Sequence, residues 1–87
     1  MPPQRKVKPR SPEHAALGEA IRQLREAQGL TIEALADRAG TDLTQLGGVE
    51  RGTRNCTYEY LLRLANSLGT SVGEITTRAD QIVTSEQ

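Results

Sequence analysis

Apolar positions recur along this chain in five blocks, each with the 3.6-residue period of one helix face. In SPEHAALGEAIRQLREAQG, Leu17, Ile21 and Leu24 form an apolar stripe, with Gln28 next in register. Ser11 is placed to cap this block, and Pro12 takes the first helical position, where its missing N–H costs nothing. Glu13 suits the positive end of the helix, and Gly29 closes the block. Thr31 caps a second helix over IEALADRA, with Leu35, Ala36 and Ala39 pointing inward and Gly40 as its stop. Asp42 then caps a third helix, with Gln45 three positions on as capping-box partner and Leu46 and Val49 facing the core.

RGTRN is a loop by composition, because Gly52 and Asn55 both tolerate unusual backbone angles. Thr57 caps YEYLLRLANSLG, in which Leu61, Leu64, Ala65 and Leu68 keep the helical period until Gly69. Ser71 and Glu74 make a further capping box, opening a short helix that buries Val72 and Ile75. Beyond Thr76 the pattern thins, and Ile82 with Val83 stands as an isolated apolar pair, either in a frayed tail or in a segment packing on a second subunit. The expected fold is all-α, with five helices and no strand. Its divisions are residues 1–10 as a flexible basic arm, 11–76 as the domain and 77–87 as a C-terminal tail.

The 87 residues suffice for one small core and leave little room for an enclosed catalytic cleft. Phe and Trp are absent, so Leu, Ile, Val and Ala must build the interior from closely approaching helices. Overall charge is balanced, but unevenly distributed. Arg5, Lys6, Lys8 and Arg10 lie in the first ten residues without an acid, whereas the rest carries seven basic and eleven acidic residues, a net of −4. A basic arm on a mildly acidic body can make local phosphate contacts, and the same composition describes a solvated tail.

Cys56 is the only cysteine and His14 the only histidine, so neither an intrachain disulfide nor a clustered zinc set can form. GGVERG lacks the lysine of a nucleotide-binding loop, and Glu33 and Asp37, four apart on one helix face, read as solvated surface. Nothing supports catalysis or a cofactor, so the expectation is a non-enzyme. No apolar run approaches a membrane span, and the expected location is the cytoplasm, without membrane contact.

Ala36, Gly40, Leu46 and Val49 are spaced by four, six and three residues. A small residue lets two helices cross tightly, a glycine makes the turn, and two apolar residues seat the second helix, leaving the outer face of residues 42–48 clear. An ordinary helical hairpin has the same spacing. From residue 17 to 75, about two thirds of the chain, the sequence further resembles the phage repressor and Cro type of helix-turn-helix domain, the XRE family. The matching pieces are IRQLREAQGLT, LADRAG, VERG and LLRLANSLGTSVGEI, in order and without a gap. The resemblance implies a compact five-helix repressor-like domain with residues 31–39 as positioning helix and 42–51 as recognition helix in a major groove. It further implies binding to double-stranded DNA as a homodimer, usually to regulate transcription. By the same resemblance Arg25 pairs with Glu50, and each of the two follows a core aliphatic residue directly.

At the DNA-facing positions the match is looser. Ile32 stands where the family often has a polar residue. Leu43, Thr44 and Gln45 match base-reading positions, and Gly48 matches a fourth that is usually polar or charged. Gln45 can form a bidentate pair with adenine, Thr44 can use its hydroxyl or methyl, and Leu43 can meet a thymine methyl. Equally, Gln45 can be only a capping residue, and Leu43 can pack on a neighbour or a partner protein. Gly47 matches a small packing position; Gly48 does not, and two interior glycines, at about 1 kcal/mol each relative to alanine, predict a locally soft helix.

Arg38, Arg51, Thr53, Arg54 and Asn55 are candidate phosphate contacts, with the arm residues Arg5, Lys6, Lys8 and Arg10 following the groove beyond the domain. Arg22 is either a further contact or solvated beside Glu19 and Glu26. Cys56 stands where relatives often have proline, and a redox role would need an exposed, low-pKa thiol. Tyr58 and Tyr60, two apart on a helix, make no stacking platform. The competing expectation is a protein-interaction or accessory module on the same scaffold, in which Ile32, Leu43 and Gly48 serve a protein partner.

Overall fold

Local capping chemistry sets where each helix begins. The computed structural model describes residues 8–85 and forms α1 (Pro12–Ala27), α2 (Ile32–Ala39), α3 (Leu43–Arg51), α4 (Tyr58–Leu68) and α5 (Val72–Ser85), with no strand among those residues. The side-chain oxygens of Ser11, Thr31, Asp42, Thr57 and Ser71 accept the N–H three residues on, at 2.7–3.1 Å. Each satisfies a donor that the first helical turn would otherwise leave unpaired. The return half of the two capping boxes is not used. Glu74 accepts instead from the hydroxyl of Thr70, just before the cap, and Gln45 accepts from Arg54, nine residues on.

The core is wholly aliphatic. Ile21, Leu35, Leu46, Leu64 and Ile75 are fully buried, one from each helix, and Ala16, Ala20, Ala36, Ala39 and Ala65 fill the closer approaches between them. Gly18 makes the tightest of these. A Cβ at this position would fall on the carbonyl oxygens of Val49 and Glu50, so α1 and the end of α3 can touch only because the side chain is absent. Gln28 Nε2 donates to Leu68 O at 2.5 Å, tying the end of α1 to the last turn of α4.

The chain does not fray after Thr76. Helix α5 continues to Ser85, so the expected tail is for the most part helix. Ile75, Ala79, Ile82 and Val83 lie four, three and one apart and form a stripe against the rest of the core, with Ala79 buried. Helix α1 makes its most extensive contact with α5, and Arg78 Nη1 donates to Gln23 Oε1 at 3.2 Å across that seam. A single alanine between Ile75 and Ile82 hid this stripe in the sequence, because the small side chain carries little hydrophobic signal yet allows α5 to lie close on α1.

Candidate nucleic-acid interface

Helices α2 and α3 are joined by a turn in which Gly40 takes a left-handed conformation, φ 66° and ψ 37°. Thr41 N–H returns to Ala36 O at 3.0 Å, and the Thr41 hydroxyl pairs with Tyr60 OH at 2.9 Å, fastening the turn to α4. Leu46 and Val49 are buried on the inner side of α3, while Leu43, 46% accessible, and Thr44 lie exposed on its first turn. Ile32 packs partly buried against the core, which accounts for an apolar residue at the start of α2.

The far end of α3 is locked to α1. Arg25 Nε donates to Glu50 Oε2 at 2.8 Å, Nη2 donates to Oε1 at 3.0 Å, and Nη1 donates to Leu30 O at 2.9 Å. The two side chains are only 11% and 6% accessible, and the bonded carboxylate raises the Arg25 guanidinium above its ordinary value. This two-pronged geometry constrains rotation as well as distance, so α3 is held in one orientation on α1.

The two glycines do not break α3. Gly48 is buried beneath the Arg54 side chain, and a Cβ on it would lie 2.5 Å from Cγ and 2.6 Å from Cδ of that arginine. The expectation that Gly48 has no packing reason is therefore corrected: its missing side chain is the bed in which Arg54 lies. Gly47 is covered in the same manner by Arg51, whose Nη1 would be 3.0 Å from a Cβ there. The Gly48 carbonyl accepts from Thr53 N–H at 2.9 Å, Arg54 N–H at 3.2 Å and the Thr53 hydroxyl at 3.2 Å. Thr53 thus uses its hydroxyl proton inward, to end the helix.

Arg51, Arg54 and Asn55 lie at this end of α3 or in the loop that follows it. Arg54 is exposed and bonds Gln45 Oε1 through Nη1 at 2.9 Å; Arg51 and Asn55 are exposed nearby, and Arg38 is exposed on the last turn of α2. Arg22 is engaged instead by Glu19, with Nε and Nη2 both at 3.0 Å, and holds the Glu19 carboxyl below its usual range. Lys8 and Arg10 are exposed, and Arg10 N–H donates to Gly52 O at 2.8 Å, so the arm joins the domain beside the α3–α4 loop. Arg5 and Lys6 lie outside the described residues. Cys56 is half-buried, and burial pushes its thiol up to about 11, the opposite of a reactive thiolate. Among the described residues no group of three or more His, Cys, Asp or Glu is placed to hold a metal, and no helix is long and apolar enough to cross a membrane.

A short, left-handed turn between two helices, with the second seated by buried residues and bare on its first outward turn, defines a helix-turn-helix domain. Residues 16–77 match the helix-turn-helix domain family, and the chain belongs to it. It is 42% identical over 62 residues to the control protein C.SmaI of Serratia marcescens, covering 71% of this chain and 74% of that one. Among solved structures it is similar to the restriction-modification controller protein C.AhdI of Aeromonas hydrophila, with 38% identity and a TM-score of 0.73 over 75% of this chain and 98% of the other. The controller protein C.Esp1396I, solved as a tetramer with its natural 35 base-pair operator, is 26% identical, with a TM-score of 0.77 over 85% and 97% of the two chains.

Proposed function

We propose that this protein is a sequence-specific regulator of transcription of the repressor and Cro type, which binds operator DNA as a homodimer with α3 in the major groove. The observation that carries this reading is the outward first turn of α3: Leu43 and Thr44 are exposed and Gln45 is half-buried outside the core, on a helix that the Arg25–Glu50 pair holds in place. Side chains at the start of such a helix meet base edges. Arg38, Arg51, Arg54 and Asn55 are exposed around that turn and at the following loop, where phosphates pass in this mode of docking. Thr53, the remaining candidate at this loop, donates its hydroxyl to the Gly48 carbonyl and so holds the loop that presents Arg54 and Asn55. The arm, anchored at Gly52 by Arg10, adds Lys8 and Arg10 to the same edge, with Arg5 and Lys6 preceding them.

Selection of bound duplexes from a random pool, at several salt concentrations, tests this directly. The expected result is a two-fold symmetric motif whose central discrimination weakens in Gln45→Ala. Each phosphate contact contributes close to one unit of salt slope on B-DNA. Absence of binding at low salt overturns the reading and leaves the exposed Leu43 as a protein-contact residue, in a module whose partner is another protein.

A further inference from the structure

We infer that Gln45 and Arg54 act as a single, positively charged reading unit dominated by donors, and that it selects guanine where an unpaired glutamine would select adenine. This rests on the proposed docking of α3 in the major groove. It starts from one hydrogen bond, Arg54 Nη1 to Gln45 Oε1 at 2.9 Å.

A guanidinium has no acceptor, so the end of the amide that meets it must be the carbonyl oxygen. The orientation of Gln45 is therefore set by chemistry, and Nε2 with its two N–H groups is the other end. Arg54 is itself restrained. Its stem lies along the backbone of α3 in the space left by Gly48, and its own N–H bonds the Gly48 carbonyl at 3.2 Å. Any side chain at position 48 would collide with Cγ and Cδ of Arg54, at 2.5 and 2.6 Å from a Cβ. A helix-interior glycine costs about 1 kcal/mol relative to alanine, and seating Arg54 against Gln45 gives that cost a purpose.

The consequence for base recognition follows from donor and acceptor patterns. Adenine offers an N7 acceptor and an N6 amino donor in the major groove, and a glutamine reads it by donating to the first and accepting from the second. Here the accepting atom is held by a guanidinium, whose positive charge repels the N6 amino hydrogens. Guanine offers N7 and O6, both acceptors. The Nε2 donors of Gln45 and the remaining N–H groups of Arg54 complement that edge, whereas an amino donor placed there would have only the second lone pair of Oε1 to meet and would lie beside the guanidinium charge. Arg54 in this role is a positioning residue for Gln45 as well as a contact in its own right.

The test compares wild type, Arg54→Ala and Gly48→Ala in duplex selection, followed by competition between operators that differ at one base pair. That base pair is the one whose preference vanishes in Gln45→Ala. Wild type is expected to prefer guanine there, and Arg54→Ala to shift the guanine-to-adenine preference toward adenine by roughly tenfold or more. Gly48→Ala keeps every charge but displaces Arg54, so it is expected to shift the preference the same way with the salt slope unchanged. Melting temperatures show that the variants fold. Equal loss of affinity for all sequences in Arg54→Ala, with a slope smaller by about one, overturns the inference and leaves Arg54 a phosphate contact, while the DNA-binding reading stands. A wild type preferring adenine at that pair also overturns it. A wild type that binds no duplex at low salt removes the docking itself, and the inference falls with it.

Discussion

Arg25 on α1 and Glu50 on α3 meet in a two-pronged ion pair, with N to O distances of 2.8 and 3.0 Å and both side chains largely withdrawn from water. Separated by 25 positions in the chain, they join the first helix to the end of the helix that carries the exposed Leu43 and Thr44. The pair is better understood as an orienting device than as a source of stability. Two charges lose hydration when they meet in a buried place, and their attraction does little more than offset that loss.

Arg25→Met is accordingly expected to destabilise the fold by about 3 kcal/mol, because Glu50 would be left charged and buried without a partner. The double variant Arg25→Met with Glu50→Leu should recover much of this loss. Urea unfolding of the single and double variants measures the coupling. If the double variant loses the sum of the two single effects, the pair is not a coupled unit.

Gly18 and Gly73 are both helical glycines, and they predict opposite outcomes. A Cβ on Gly18 would strike the backbone carbonyls of Val49 and Glu50, which cannot move without separating α1 from α3. Gly18→Ala should cost about 2 kcal/mol or more. A Cβ on Gly73 would meet only the Ser71 hydroxyl, at 3.9 Å, so Gly73→Ala should stabilise by about 0.5 kcal/mol through the unfolded chain. Thermal melts of the two variants should move in opposite directions.

Truncation after Thr76 removes the part of α5 that holds Ala79, Ile82 and Val83 against the core. Loss of that cover should cost at least about 3 kcal/mol, and lower the melting temperature by roughly 15 °C. An unchanged melting curve would show that this stretch of helix does not support the domain.

The half-buried thiol of Cys56 makes stability fall at alkaline pH. Burial raises it from 9.0 to about 11, so between those values the folded chain keeps a proton that the unfolded chain has released, and stability declines as pH rises through that window. Allowing for partial exposure, the effect should be about 1 kcal/mol. Tyr60, also raised by burial, contributes in the same direction, so the flatter profile expected of Cys56→Ala isolates the thiol. At pH 8 alkylation of Cys56 in the folded protein should run about tenfold or more slower than that of an ordinary cysteine.

What could be read from the sequence was local. Ser11, Thr31, Asp42, Thr57 and Ser71 each act three residues along the chain, and the stripe containing Leu61, Leu64, Ala65 and Leu68 repeats within a few turns, so helix starts and most of the core were legible. The Arg25–Glu50 pair was also anticipated, through likeness to a family and not through spacing. Tertiary packing alone decided the rest. Gly18 is required by a helix end some thirty positions away, and α5 extends to Ser85 because α1 offers it a surface. Gly48 reads as a weakness in a lone helix and becomes a seat once Arg54 folds back over it. Gln45 was open to two roles, cap or contact; its side chain makes no return bond to Asp42 and meets Arg54, nine residues on. Short-range hydrogen bonds and periodicity are properties of a segment, whereas a close approach or a side-chain pair exists only when two segments have been brought to the same place.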